Sequence, residues 1–486
     1  MRTRLCALLV VIAAPLVLAA CGGGGGEKKQ AAGGGAVPAG ADYVPSSAVG
    51  FVSVNSDTES SQWKDLRSVL AKFPAEDELI ARLQQELAKQ QVDLRNEVLP
   101  AVGPEVAIGV LSYQGGQNAT AVGLTRPKDR GKAEALFRKI AKDGSAVFKQ
   151  IGDWLAASDS QSAVDAADTA HGGTSLADDS AFKEAMGDLP ADALVKLWFD
   201  GEALTRQAQS RTGGQGSIPG FGRLLSLAAA LAAKGDGASI TAVAKTDQPI
   251  KFQQYASKLV SQVPAGVLAY LSVRGIDELI NNLAGVPAVK QRIGELEGQL
   301  GVTLAELAPL FAGEGALYVR QGVPLPEVTL VLEQADTAAA QATADKLFTR
   351  LAPALQAQQT TTTISGVSVK QLRTQNFSIY YGTFDGKLVV TTATTGVSGL
   401  REDGQKLDGD SLFTEAKGAA GMPDETAGFL YLNLKDAVPL VVNLVQSSGT
   451  NVDAVVRENL EPLKSLVLFE TIDGAKVSVS GFLGVE

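Results

Sequence analysis

The sequence predicts an α+β protein in which one domain occurs twice in tandem, each half being a mainly antiparallel sheet with helices packed on one face. Two observations support this prediction. Segments from the first half of the chain recur in the same order in the second half, which is typical of an internal repeat. In addition, hairpin signals separate the apolar strand segments, and helical patterns are grouped instead of alternating with single strands.

The first repeated element is a strand. Residues 44–54 (VPSSAVGFVSV) match residues 263–273 (VPAGVLAYLSV) position by position. A proline, Pro45 or Pro264, opens each copy, and it suits that position because it lacks a backbone donor. Amphipathic helical patterns follow in both halves. Their apolar positions are Trp63, Leu66, Leu70, Phe73, Leu79, Ile80, Leu83 and Leu87 in the first half and Ile276, Leu279, Ile280, Leu283, Val289, Ile293, Leu296 and Leu300 in the second.

The elements after these helices also recur. A helix begins at Asp93 or at Thr303, and Thr303 with Glu306 forms a capping-box pattern. A turn that contains glycine and glutamate then leads into an apolar strand at residues 103–108 and 313–318, and a further helix is predicted around residues 133–141 and 338–351. The pair Asp385-Gly386 is a strong hairpin signal within residues 377–392, for which residues 147–158 are a more degenerate counterpart.

Two later matches support the same alignment. Residues 176–182 (LADDSAF) align with residues 407–413 (LDGDSLF), and Ser180 and Ser411 are predicted to cap the short helices that follow. Residues 189–200 align with residues 422–433, and each half ends in a helical stretch and a strand, residues 239–245 or 476–483. The small-residue run 227–233 (LAAALAA) permits close helix packing as readily as a pocket.

The predicted domains are therefore residues 43–250 and 263–486, joined near residues 248–262. The offset between the copies grows from 219 residues at the first proline to 233 at the last, which insertions in loops explain. Hydrophobic residues make up 45% of the sequence, enough for cores in both halves. Of the two cysteines, Cys6 lies in the predicted signal peptide and Cys21 at its end, so we expect no disulfide in the mature chain.

Residues 1–20 have the features of a secretory signal peptide. Arg2 and Arg4 precede an apolar segment of roughly 15 residues, which is too short to span a bilayer. Leu18, Ala19 and Ala20 precede Cys21, and this order resembles the lipobox of bacterial lipoproteins. The resemblance implies cleavage before Cys21, lipid on its sulfur, and an extracytoplasmic protein anchored to the bacterial cell membrane. Plain secretion with an unmodified Cys21 is the alternative.

Residues 21–42 are predicted to be a lipidated, glycine-rich tether. They include almost no large apolar side chain, so they cannot bury enough surface to order themselves. The whole chain has 43 basic and 53 acidic residues and a net charge of −10. An acidic surface makes nucleic acid an unsuitable partner and gives no polybasic attraction to anionic lipid. Membrane attachment would then depend on the lipid itself.

Several of these motifs together resemble a known family. They are the strand start Tyr43-Val44-Pro45, the helices with Trp63 and Phe73-Pro74, the glycine and glutamate turn, and residues 175–182. They resemble the uncharacterised bacterial family called domain of unknown function thirty-three fifty-two, over nearly all of the chain after the tether. That family consists of envelope and lipoprotein sequences without an established activity, so the resemblance implies no functional residues.

Patterns that would support catalysis are weak, and we predict no catalytic residue. The single histidine, His171, lies in an Ala-His-Gly-Gly sequence, but no Gly-x-Ser-x-Gly supplies a nucleophile. Ser180 and Lys183 match the Ser-x-x-Lys of penicillin-recognising enzymes and are a weak alternative site. The Lys-Thr-Gly element of those enzymes is missing, and Thr414 replaces Lys183 in the second half.

No metal or cofactor is predicted either. One histidine and no free thiol exclude the usual zinc ligand sets. Asp178-Asp179 and the two aspartates of residues 408–410 fit turns and helix caps better than a calcium loop. Glu105 and Glu314 occupy equivalent places, and we interpret them as structural because duplicated domains seldom keep two complete active sites.

Three hypotheses remain for the function. The first is a non-catalytic binding or interaction lipoprotein of the cell envelope, whose partner is another envelope protein, a cell-wall polymer or an apolar molecule in a cavity between helices and sheet. The second is an envelope hydrolase that uses carboxylates or Ser180 with Lys183. The third is a structural spacer in a larger assembly. A large exposed apolar patch in the structure would favour binding.

Overall fold

The structure is a computed structural model that describes residues 36–89, 91–113, 119–140, 147–212, 222–284, 293–295, 297–298, 301–323 and 325–486. The predicted signal peptide, Cys21 and most of the predicted tether lie outside these residues, as do Val289, Leu296 and Leu300. No helix among the described residues is long and apolar enough to cross a membrane.

The helices agree in most places with the amphipathic patterns of the sequence. The α-helices are α1 (Ser61–Leu70), α2 (Glu76–Lys89), α3 (Leu99–Ala101), α4 (Arg130–Ile140), α5 (Gln161–His171), α6 (Ser180–Gly187), α7 (Gly201–Thr212), α8 (Ile276–Ala284), α9 (Leu304–Leu307), α10 (Thr337–Ala354), α11 (Thr395–Arg401), α12 (Ser411–Ala420), α13 (Leu434–Ser447) and α14 (Ala454–Leu460). Short 3-10 helices span Ala39–Tyr43, Leu176–Asp178, Leu259–Ser261, Ala308–Phe311 and Leu407–Gly409, and a π-helix spans Leu94–Val98.

The strands form one long sheet and one short ribbon. They are β1 (Gly50–Asn55), β2 (Glu105–Tyr113), β3 (Ala119–Thr125), β4 (Val147–Ile151), β5 (Trp154–Ser158), β6 (Val195–Asp200), β7 (Leu224–Lys234), β8 (Gly237–Thr246), β9 (Tyr255–Ala256), β10 (Val267–Arg274), β11 (Glu314–Arg320), β12 (Glu327–Glu333), β13 (Gln358–Ile364), β14 (Val367–Arg373), β15 (Ser378–Phe384), β16 (Lys387–Thr391), β17 (Glu425–Thr426), β18 (Gly428–Asn433), β19 (Leu463–Asp473) and β20 (Lys476–Val485). β9 and β17 form the ribbon.

The other 18 strands form a single antiparallel sheet. Its spatial order is β4-β5-β3-β2-β1-β6-β7-β8-β20-β19-β18-β10-β11-β12-β16-β15-β14-β13. The prediction of two separate sheets, one in residues 43–250 and one in residues 263–486, was therefore wrong. The two parts of the chain share one sheet because β8 pairs with β20.

The β8–β20 junction is a full strand pairing. It runs without a break from Gly237 opposite Gly484 to Lys245 opposite Lys476. Gly237 is required there, because a Cβ at this position would overlap the carbonyl oxygen of Leu483. The junction is thus as regular as the pairings within each part of the chain.

Helices cover both faces of the sheet, so the prediction of helices on one face was also wrong. On the face that we call the closed face, α5 and α6 pack against Phe51 and Trp198, and α12 packs against Phe429 and Tyr431. On the opposite face, α1 and α4 cover one end of the sheet and α10 covers the other. The physical reason is visible in β5, where all five residues are buried and both faces therefore need a cover.

Other local predictions were tested by the structure. The Asp385-Gly386 turn joins β15 to β16, with φ of 48° and 73° at its two residues, as a type I′ hairpin requires. The Thr303 and Glu306 capping box is present. Residues 227–233, which the sequence left open between helix packing and a pocket, lie within β7. β7 pairs with β6 on one side and with β8 on the other, and its side chains alternate between the two faces of the sheet.

Candidate functional site

The middle of the second sheet face is mainly apolar and, in the part of the chain that the structure describes, is covered only in part. We call this region the open face. Its side chains come from eight neighbouring strands, β6, β7, β8, β20, β19, β18, β10 and β11, and none of them is buried. They are Val195, Leu197, Phe199, Leu227, Ala229, Leu231, Ile240, Ala242, Ala244, Val477, Val479, Leu483, Leu466, Leu468, Ile472, Leu430, Leu432, Ala269, Leu271, Val273, Leu317 and Val319, together with one charged side chain, Glu470, opposite Val479.

The open face is most exposed near the β8–β20 junction. Leu231, Ile240 and Val479 are 40%, 46% and 41% exposed. On the closed face at the same junction the strands carry Ser239, Thr241, Ser478 and Ser480. At this junction, apolar side chains therefore point to the open face and hydroxyl side chains point to the closed face. Eight strands at a spacing of about 4.8 Å make this region about 35 Å wide, and an apolar patch of that width is typical of a binding surface.

A groove deepens the open face where α13 crosses it. The groove has a volume of about 420 Å³ and is lined by Ala269, Val319 and Leu432 of the sheet and by Leu440 and Leu444 of α13, among others. Its polar lining side chains are Asn443 and Ser447. Since few polar groups line it, the groove suits a molecule that needs few hydrogen bonds.

Local sequence places α13 above the sheet. Asn433 at the end of β18 is its N-cap, and the Asn433 side chain accepts a hydrogen bond from the Asp436 backbone N–H. The helix then packs against β10, β18 and β19. No Asp, Glu, Lys or Arg occurs from residue 437 to residue 452, so one side of α13 covers the groove with apolar groups while Val441 and Leu444 remain 58% and 46% exposed.

Glu314 lies in a buried hydrogen-bond cluster far from solvent. Its carboxylate accepts hydrogen bonds from the backbone N–H groups of Lys258 and Leu259 and from the hydroxyls of Ser257 and Ser272. The residue is 2% exposed. The carboxylate therefore fixes the segment before β10 to strands β10 and β11.

Glu105 makes the corresponding contacts in the first part of the chain. Its carboxylate accepts hydrogen bonds from the backbone N–H groups of Ala39 and Gly40 and from the Ser53 hydroxyl, each at 3.1 Å. Burial raises the pKa of Glu105. Both glutamates thus tie down the segment that precedes the first strand, which supports their interpretation as structural residues.

Lys196 distinguishes the two clusters. It lies beside Ser53 on the neighbouring strand, is buried, and donates a hydrogen bond from Nζ to the Ala36 carbonyl oxygen at 3.0 Å. Burial lowers the pKa of Lys196. Phe429 occupies the matching position beside Ser272. Residues 36–43 are therefore fixed to the sheet, and the folded part begins before residue 43, the predicted boundary.

The structure does not bring Ser180 and Lys183 together as a catalytic pair. Both residues are exposed, and Lys183 Nζ donates to the Asp178 carbonyl oxygen at 3.2 Å. Ser180 is also not the helix cap. The caps are Asp179, which accepts from Phe182 N–H, and Asp410, which accepts from Leu412 and Phe413 N–H. An ionised carboxylate is the stronger acceptor for these donors, which explains why Ser180 and Ser411 were the wrong choice.

The remaining predicted candidates have structural surroundings. His171 stacks on Tyr43 with ring centroids 4.3 Å apart, and Asp178 completes a capping box with Ser175. Within the part of the chain that the structure describes, no group of three or more His, Cys, Asp or Glu residues could hold a metal ion. Leu18, Ala19, Ala20 and Cys21 lie outside the described residues.

A family model described as protein of unknown function (DUF3352) matches residues 122–478. The chain belongs to the DUF3352 family. This match confirms the resemblance found in the sequence. Because the DUF3352 description names no activity, the chemistry of the site depends on the residues described above.

Other comparisons add little to the DUF3352 assignment. No curated protein matches the chain. Two solved structures, crystal forms IV and III of TP0453, are similar to it at 13% identity, with TM-scores of 0.24 and 0.23. The similarity covers 46% of this chain and 92% and 93% of the TP0453 chains. Scores this low do not establish a common fold.

The sequence reasoning missed the open face. The signal was present in strands such as β18 and β19, where Leu430, Leu432, Leu466 and Leu468 alternate with residues that are also apolar or aromatic. A continuous apolar pattern of this kind predicts a strand that is buried on both faces of the sheet. Only the three-dimensional arrangement shows that, among the described residues, α13 covers one of these sides incompletely.

Proposed function

We propose that this protein is a non-catalytic extracytoplasmic lipoprotein, anchored to the cell membrane by lipid on Cys21, that binds the acyl chain of a lipid-like ligand on its open face. The observation that carries this proposal is the groove between α13 and strands β10, β11 and β18, which continues into the mainly apolar, partly exposed side chains of the open face. Acyl chains gain free energy from apolar burial and need no hydrogen-bond partners.

The lack of polar groups in the groove favours binding over chemistry. Catalysis of hydrolysis needs a nucleophile or an acid and base near the ligand, whereas the groove offers the amide of Asn443 and the hydroxyl of Ser447. Glu105 and Glu314 are engaged with backbone donors, and Glu470, on the open face, is not among the residues that line the groove. These contacts support a carrier or binding role rather than an envelope hydrolase.

We also propose that the sheet arose by tandem duplication of one unit, with the two copies joined at β8 and β20. Each part has a first strand between two corresponding neighbours, since β1 lies between β2 and β6 and β10 lies between β11 and β18. The Glu105 and Glu314 clusters occupy the same place in this pattern. Sequence divergence between the two copies would explain why, among the described residues, the groove beside α13 is found in only one part of the chain.

A titration with a fluorescent fatty acid tests the proposed function. The full chain is extracted from membranes and transferred to an amphipathic polymer that holds no free detergent. We expect saturable binding, weakened about tenfold or more by Ala437→Trp, since a loss of about 1.4 kcal/mol corresponds to tenfold and the indole would fill the groove. Leu204→Trp on α7 is the matched control and should change the affinity less than about twofold.

Two results would contradict the proposal. Equal affinities for the A437W and L204W variants would place the ligand elsewhere, and absence of saturable binding by the unmodified chain would remove the carrier role. Mass spectrometry of the same denatured preparation tests the anchor. The N-terminal fragment should carry covalent lipid, which Cys21→Ser should abolish.

A further inference from the structure

We infer that the loop between β11 and β12, together with the exposed side of α13, inserts into the surface of a lipid bilayer and places the mouth of the groove against the membrane. This inference deepens the proposed function and rests on it for its purpose, whereas its test needs no ligand. The partner is the lipid surface itself.

The first argument is the composition of the loop. Residues 321–326 (QGVPLP) have no charged side chain, and Val323 and Leu325 are 95% and 55% exposed. Aliphatic side chains with this exposure contribute almost no burial energy to the fold. The loop is nevertheless compact, because a Cβ at Gly322 would overlap the carbonyl oxygen of Leu325. Gly322 and Leu325 thus lie close together, and Val323 and Leu325 present two aliphatic groups to the surroundings.

The second argument is position. Gly322 and Pro326 line the same groove as Val441 and Leu444, so the loop and the C-terminal half of α13 border one opening. The exposed aliphatic groups therefore form a rim around the groove and are not scattered. A ligand with an acyl chain would pass this rim when it moves between the bilayer and the open face.

The third argument is charge. The protein is acidic, with 53 acidic against 43 basic residues, and an acidic surface is repelled by anionic headgroups. Residues 321–326 and 437–452 include no charged residue, and the charges that flank the loop, Arg320 and Glu327, are opposite in sign and lie side by side on β11 and β12. This part of the molecule can approach a bilayer without that repulsion, and the burial of aliphatic groups at the interface is favourable.

The fourth argument is reach. Fourteen residues lie between Cys21 and Ala36, and the fifteen residue-to-residue steps span at most about 50 Å. Ala36 is fixed beside β6 by Lys196, and β11 lies seven strands away from β6, about 34 Å at the usual strand spacing. An anchor at Cys21 therefore permits the rim to touch the same membrane.

Depth-dependent fluorescence tests the inference. The lipid-anchored full chain is reconstituted in vesicles of phosphatidylcholine and phosphatidylglycerol, with and without brominated phosphatidylcholine as the quencher. The three native tryptophans, Trp63, Trp154 and Trp198, are buried and give a constant background. The Val323→Trp variant should show blue-shifted emission, and the brominated lipid should quench most of the added signal.

The control reporter is Thr360→Trp, on the exposed strand β13. It shares the anchor but not the rim, so its added emission should be neither shifted nor quenched. Replacing Leu325, Val441 and Leu444 with Asp in the V323W chain should abolish the quenching. Fatty-acid binding by the same variants separates this inference from the proposed function, because V323W should retain it.

Three outcomes would overturn the inference. V323W emission could match that of T360W in the presence of brominated lipid, which would place the rim in water. Quenching could persist in the triple Asp variant, which would show contact by another surface. A blue shift of V323W that depends on protein concentration in the absence of vesicles would identify a second copy of the chain as the partner.

Discussion

Helices α7 and α13 follow corresponding strands, β6 and β18, yet their surfaces differ. α7 carries charged side chains, among them Glu202 and Arg206, which form an ion pair at 3.5 Å. α13 is uncharged after Asp436. The loops differ in the same way, since residues 114–118 read QGGQN where residues 321–326 read QGVPLP. The corresponding strands are therefore followed by a polar helix in one part of the chain and by a mainly apolar helix in the other.

The buried glutamates, unlike α7 and α13, are alike in the two parts of the chain. Glu105 and Glu314 make the same kind of contact in both parts of the chain, to backbone N–H groups of the preceding segment and to a serine of the adjacent strand. Similar contacts in both parts indicate a structural need, whereas differences between them indicate a role outside folding. Stability measurements on matched variants in the two parts of the chain can support or contradict this distinction between structural and other roles.

The largest effect is expected at the buried glutamates. Glu314→Ala would leave two backbone donors and two hydroxyls without their acceptor, at a cost of about 3–5 kcal/mol in the free energy of unfolding. Glu105→Ala should cost about 2–3 kcal/mol, because its partner Ala39 is more exposed. Urea denaturation measures both. Glu458→Ala on the exposed side of α14 is the control, and an equal loss there would refute the structural role.

An intermediate effect is expected from pH. Burial raises the pKa of Glu105 in the folded chain, so the folded chain binds this proton more tightly than the unfolded chain. Between the folded pKa and the unfolded value of about 4.3, this residue makes stability increase as the pH falls. Burial also raises the pKa of Glu470 on β19, so each part of the chain contributes one such group.

The measurement for this pH effect is a thermal unfolding series on the unmodified chain and on Glu105→Gln. The stability advantage of the unmodified chain over E105Q should grow as the solution is acidified from neutral pH. Parallel curves would show that Glu105 ionises normally. Glu470→Gln tests the second part of the chain in the same way.

The smallest effects are expected at the helix caps. Asp410 accepts hydrogen bonds from Leu412 and Phe413 N–H and also from Gly266 N–H, so Asp410→Ala should cost about 1–2 kcal/mol. Asp179 accepts from Phe182 N–H, and Asp179→Ala should cost about 1 kcal/mol. Ser180→Ala should change stability by less than about 0.5 kcal/mol. A larger loss of stability for Ser180→Ala than for Asp179→Ala would indicate that Ser180, and not Asp179, caps the helix.

Local features were predictable from the sequence, whereas long-range ones were not. The Asp385-Gly386 hairpin and the Thr303 cap depend on neighbouring residues, and both were found. The β8–β20 pairing joins residues that are far apart in the chain, and no local signal specifies it. The alternation in residues 227–233 was obscured by alanine, which has a high helix propensity and here is overridden by pairing with β6 and β8.

The candidate site was less predictable than the fold. The sequence indicated turn or capping roles for Asp179 and Asp410, which cap helices in the structure, and it grouped Glu105 with Glu314. It did not indicate the open face, because the hydrophobic pattern of an apolar strand is the same whether or not a helix covers that strand. The exposure of Ile240 and Val479 depends on where α1, α10 and α13 end in space. The periodicity of hydrophobic residues along the sequence does not predict these positions.

The β8–β20 junction has a consequence for inheritance. A gene fragment that encoded either part alone would produce a sheet that stops at an unprotected strand with nine unpaired residues, and such an edge recruits other chains. Recombination that separated the parts would therefore be penalised by aggregation even if each retained its own glutamate cluster. We therefore expect the two parts to be inherited together.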